Sequence, residues 1–77
     1  MNQVEQILNI VAAIMEVPVE QVTLESVKSD FEKWDSLGQL NLIMEIESVF
    51  EISIPIDHIA NVDSVQAIID IVNKLAE

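Results

Sequence analysis

Residues 34–50 read WDSLGQLNLIMEIESVF, and their spacing decides what this chain becomes. In an α-helix each residue advances about 100° around the axis. On that wheel Leu42, Ile43, Ile46, Val49 and Phe50 fall within one broad arc. Leu37, Leu40 and Met44 fall within a second arc, on nearly the opposite side. Asn41, Glu45 and Ser48 flank that second arc on one side, with Glu47 and Glu51 on the other. The first arc suits the interior of a small helical bundle. The second has no interior to enter, and it reads as an exposed docking stripe. The alternative is that the preceding loop covers it, through Phe31 or Trp34.

The start of this helix carries the chemistry. Asp35 is a favoured N-cap, because its side-chain oxygen accepts free amide protons of the first turn. Ser36 then stands at the first helical position, where backbone N–H groups have no intrahelical partner. Such an end favours an added anion, a phosphate for example. An ordinary Asp-Ser cap is the alternative reading of the same residues.

Towards the N-terminus, Val4, Ile7, Leu8, Val11, Ile14 and Met15 recur at helical spacing. Pro18 disfavours helix at Val17, so this first helix is expected to stop near Glu16. Val17 to Lys33 has no sustained period. It reads as a long, partly structured loop pinned to the core by Val22, Leu24, Val27 and Phe31, and a loop of that length is usually functional or held by packing. Beyond Phe50, Ile52, Ile54 and Ile56 alternate with Ser53 and Pro55. A lone strand containing Pro has no partner here, so an extended connector is expected. Asp57 is expected to cap a short turn through His58, Ile59 and Ala60. Asp63 or Ser64 then caps a last helix whose inner face is Val65, Ile68, Ile69, Val72 and Leu75. The expected fold is all-α: a small four-helix bundle of three main helices and one short one, with a long loop between the first and second helices.

Seventy-seven residues suit a single small domain over residues 1–77, with a thin core. Ile, Val and Leu fill it, since Trp34, Phe31 and Phe50 are the only aromatics. The chain has no Cys, which removes disulfides, thiolate metal sites and a Cys nucleophile. The longest apolar run, Ile10 to Met15, is far below a membrane span, and the N-terminus lacks the features of a signal peptide. A cytosolic monomer without membrane insertion is expected. Fourteen Asp and Glu stand against three Lys, a formal net charge of −11. Such a chain repels nucleic acid and anionic membranes, while basic protein surfaces complement it. The same acidity also serves a plain solvated surface.

Taken together, these residues resemble the acyl carrier proteins and the wider phosphopantetheine-attachment domains, over nearly the whole chain. The match is Asp35-Ser36-Leu37 at the start of the second helix, followed by Leu42-Ile43-Met44-Glu45-Ile46-Glu47. It continues through Phe50, Ile54-Pro55 and the short-helix region to Val65. An Asp-Ser-Leu tripeptide alone is weak evidence. Its place halfway along an acidic four-helix chain of this length makes the combined pattern specific.

The resemblance implies a carrier, not an enzyme, with no catalytic residues and no resident metal. It implies that a phosphopantetheinyl transferase modifies Ser36, whose hydroxyl attacks the pyrophosphate of coenzyme A in a magnesium-dependent reaction. The product is a covalent 4'-phosphopantetheine arm ending in a thiol, on which acyl groups ride as thioesters. Asp35 and Leu37 match the residues flanking the family's serine. Leu37, Leu40, Met44 and Glu47 match recognition-helix positions that face acyl-loading and acyl-processing enzymes with basic docking surfaces. Asn41 lies on that face, and Trp34 joins the patch if it is at the surface rather than in the core.

Departures from the family pattern are informative. Fatty-acid-synthesis carriers usually have an acidic or polar residue straight after the leucine and another acid three positions on. This chain has the neutral Gly38 and Asn41 there, and Ser48 stands where a further acid is common. Lys33-Trp34 stands where a Gly-Ala pair is usual. The chain thus looks closer to stand-alone carriers of specialised pathways than to a housekeeping fatty acid carrier. Gly38 costs a helix up to about 1 kcal/mol relative to Ala; it is either kept for close approach by a partner or tolerated. His58, the only His, reads as a solvated or capping residue, with no second metal ligand beside it. The interior either opens to shelter an acyl chain or stays closed.

Three other functions fit parts of the pattern. An aminoacyl or peptidyl carrier keeps the fold and changes the cargo. A helix-binding interaction module uses the apolar stripe and needs no arm. A hydrolase built on Ser36, His58 and an acid lacks the strand–turn–helix elbow that would expose its nucleophile.

Overall fold

The computed structural model describes residues 2–76. Its helices are α1 (Gln3–Met15), α2 (Ser36–Phe50), α3 (Ile56–Ile59) and α4 (Val65–Leu75). Two 3-10 turns, Val19–Gln21 and Lys28–Asp30, interrupt the loop between α1 and α2. No strand forms among the described residues, and no described helix is long and apolar enough to cross a membrane.

Each main helix is bounded by local chemistry. Asn2 opens α1, its side chain accepting from the Val4 and Glu5 amides. Glu16 closes α1 in the left-handed region, and Glu51 closes α2 in the same way (φ 59° and 54°). Non-glycine residues adopt that conformation uncommonly; here each turns the chain and returns its own amide to the last turn of the helix. Of the two candidate caps for α4, Ser64 serves, its hydroxyl accepting the Ala67 amide at 3.0 Å. The expected cap at Asp57 is corrected. Helix α3 follows Pro55 without a side-chain cap, and Asp57 lies inside its first turn.

The interior is where the three long helices meet. Ile7, Ile10, Val11 and Met15 of α1 pack with Leu42, Ile43 and Ile46 of α2 and with Val65, Ile68, Ile69 and Val72 of α4. Val49, expected in this set, is exposed because it lies at the edge of the buried arc of α2. Ile71, not expected, is buried.

The long loop is stitched to the start of α4. Lys28 N–H donates to the Asp63 carbonyl at 2.8 Å, and Val65 N–H donates to the Ser26 carbonyl at 3.0 Å. Val22 and Phe31 anchor it as expected, whereas Leu24 and Val27 are exposed. Backbone pairing holds the segment around Val27, so its side chain is not needed for anchoring. Ser26 is buried instead, its hydroxyl accepting the Thr23 amide at 2.9 Å.

Candidate functional site

Asp35 is extended, and its Oδ1 accepts the Gly38 amide at 2.9 Å, so α2 begins at Ser36. Ser36 is exposed at that first position. The Ser36 and Leu37 amides have no intrahelical partner, so the serine hydroxyl stands where the helix end favours negative charge. The site is thus an accessible oxygen with room for a bulky group and a local field suited to a phosphate.

The apolar stripe leading away from Ser36 is open to solvent. Leu37, Leu40 and Met44 are 67%, 54% and 57% exposed. Neither Phe31 nor Trp34 covers them: both rings are turned inward, their centroids 6.1 Å apart. Asn41 is exposed on the same side. Leu37 and Asn41 also border a shallow depression with Ile14, Glu16, Lys33 and Asp35. Lys33 pairs there with Glu16 at 3.4 Å, both side chains solvated.

Two expected docking residues have other work. Trp34 is only 2% exposed, which removes it from the surface patch. Its indole Nε1 donates to Gln39 Oε1, and burial with a satisfied N–H makes it a core residue. Glu47 is half-buried, and its Oε2 accepts the Ile54 amide at 2.8 Å, so this carboxylate holds the connector to α3.

Gln39 is the residue that helical spacing passes over. Its Nε2 donates to the carbonyls of Ile59 and Val62 at 2.8 and 2.9 Å, while its Oε1 receives the Trp34 indole. One amide thereby joins the approach to Ser36, the first turn of α2 and the far end of α3. The available signal was a lone polar side chain on the inner arc of α2, since a buried amide requires partners.

Gly38 also has a role that spacing does not reveal. A Cβ built there would lie 1.9 Å from the Lys33 carbonyl oxygen. The close approach that this glycine permits comes from the chain's own backbone, not from a partner. His58 is half-buried at a depression shared with Asn61, Asp70 and Lys74.

Comparison with known proteins gives a consistent family. The model of the phosphopantetheine attachment site matches residues 5–72. The acyl carrier protein of Chlorobium phaeobacteroides is 36% identical over 70 residues, 91% of this chain and 90% of that protein. The acyl carrier protein of Chlorobium phaeovibrioides is 34% identical over the same shares of the two chains. A probable acyl carrier protein of Caulobacter vibrioides is 44% identical over 41 residues, 53% of this chain and 48% of its own length.

Proposed function

The chain belongs to the phosphopantetheine-attachment family of acyl carrier proteins, and from that membership we propose that Ser36 carries the arm. Members are carriers rather than catalysts, and their prosthetic group is covalent 4'-phosphopantetheine. When attached, that group supplies a terminal thiol able to hold acyl groups as thioesters.

The single observation behind Ser36 is its placement: an exposed hydroxyl at the first residue of α2, beside open backbone amides. Asp35 holds this end of the helix in shape through the Gly38 amide, which keeps the oxygen presented. Leu37, Leu40, Asn41 and Met44 form the face against which a partner settles while it works on the arm. The carrier serves acyl intermediates of a fatty-acid-like or specialised biosynthetic pathway. Its partners are a phosphopantetheinyl transferase and acyl-loading and acyl-processing enzymes with basic docking surfaces.

Intact-mass measurement after incubation with coenzyme A, magnesium and a promiscuous phosphopantetheinyl transferase tests this. The wild-type chain is expected to gain the mass of one phosphopantetheine, and Ser36→Ala to gain none while keeping its helical circular dichroism. A wild-type chain that stays unmodified, or a Ser36→Ala chain that is modified, overturns the assignment.

A further inference from the structure

Gln39 stands between Ser36 and the core. Ser36, Gln39, Ile43 and Ile46 fall within about 80° of one another on the α2 wheel, so the way from the serine into the bundle along α2 runs down that strip. Ile43 and Ile46 are core residues, 2% and 0% exposed. Gln39 is half-buried, one turn below Ser36 and one turn above Ile43.

Its amide closes the strip on two sides. Nε2 donates to the Ile59 and Val62 carbonyls, tying α2 to the far end of α3 and to the residues before α4. Oε1 accepts the Trp34 indole N–H, tying in the segment that leads to Ser36. Val62 and Trp34 are each 2% exposed, so the groups joined by this amide are themselves part of the sealed interior. One side chain thereby clasps three segments of the chain just below the serine.

An acyl group that enters along this strip must part the clasp. Opening it strands the Trp34 indole and the Val62 carbonyl, while the Ile59 carbonyl keeps the Val62 amide. The side chains behind are fully buried, Leu42, Ile46, Val65 and Ile68 among them. A close-packed interior admits an added chain only by displacing its walls. Against this, each methylene gains less on burial than one stranded polar group costs. A short or polar acyl group has too few methylenes to offset the opening.

We propose that Gln39 is a specificity-determining residue for the cargo: it keeps the interior shut, and the chain carries short or polar acyl groups displayed in solvent at the end of the arm. The inference rests on the carrier reading above and names the class of acyl group that this reading leaves open.

Transfer of acetyl and hexanoyl arms from the corresponding coenzyme A thioesters by a promiscuous transferase, followed by NMR and thermal melting, tests it. In the wild-type chain the hexanoyl methylenes are expected to show no nuclear Overhauser contacts with the methyl groups of Ile43, Ile46 or Val62. The hexanoyl and acetyl forms are expected to melt together. Gln39→Ala removes the clasp and vacates its space. In that variant the contacts are expected to appear, and the hexanoyl form to melt roughly 4–8 °C above the acetyl form, the scale for a few methylenes buried in a domain this small. Contacts in the wild-type hexanoyl chain overturn the inference, and so does a Gln39→Ala chain that shows none. The wild-type spectra decide alone if Gln39→Ala loses its helical circular dichroism. In each of these outcomes the arm is loaded and the carrier reading stands. A wild-type chain that accepts no arm overturns both.

Discussion

A methyl group at position 38 would stand 1.9 Å from the Lys33 carbonyl oxygen and 3.0 Å from its carbon. Both are backbone atoms, so no flexible side-chain end can swing away. Replacing glycine by alanine inside a helix ordinarily gains up to about 1 kcal/mol. Here the contact reverses the sign, because the backbone before Trp34 must shift to admit the methyl. Gly38→Ala is expected to lower stability by about 1–3 kcal/mol, the usual range for overpacking. The urea midpoint of unfolding checks this, and a midpoint equal to or above wild type refutes it. The same close approach explains why Trp34, only two residues from an exposed serine, is buried. The Lys33 backbone lies against the first turn of α2, and the indole is carried inward to Gln39. A residue-by-residue reading of the sequence leaves Trp34 open between surface and core, because neither that fold-back nor its partner amide is local in sequence.

At the scale of elements, α3 is the one that its own residues explain least. It has four residues, no side-chain cap and no buried residue, and helices that short do not persist alone. It is held by the two tethers to α2 and by Ile59, which packs against the core. Gln39→Leu keeps the side chain's approximate size and removes three hydrogen bonds, leaving the Trp34 indole and the Val62 carbonyl without those partners, while the Ile59 carbonyl keeps the Val62 amide. The expected loss is about 1–3 kcal/mol, the scale for stranding buried polar groups. It should be concentrated in α3. Amide exchange at His58, Asn61 and Val62, whose N–H groups bond only locally, is expected to accelerate more than exchange in α1. A uniform acceleration across the chain would show that Gln39 supports the bundle generally rather than tethering α3. The longer helices contrast with this. Pro18 after α1, Asp35 before α2 and Ser64 before α4 are boundary signals within a few residues of the ends they set, and those ends were legible in the sequence.

For the whole molecule, charge is the dominant long-range term. Fourteen acids against three lysines leave −11 on a chain of 77 residues. Among the described residues the one ion pair is Lys33–Glu16, solvated on both sides and of little worth. Self-repulsion therefore opposes compaction. Salt shortens the screening length from about 10 Å at 0.1 M to about 3 Å at 1 M, so added salt is expected to raise the melting temperature. A flat response across that range would show that the acids are too far apart, or too well solvated, to strain the fold. Composition alone supports this prediction, as it supports the choice of basic surfaces as partners.

Helical period, caps and the Asp35-Ser36-Leu37 pattern by themselves determined an all-α bundle, the ends of its long helices and the serine that heads the second one. They act over one or two turns, and the sequence displays such neighbours directly. Whether the loop covers the second arc of α2, how the backbone before Ser36 folds back on Gly38, and how α3 is held were decided by tertiary structure. Spacing already sets Leu42 and Leu40 on opposite arcs, but only the packing of Phe31 and Trp34 into the interior, through contacts distant in sequence, leaves Leu40 uncovered.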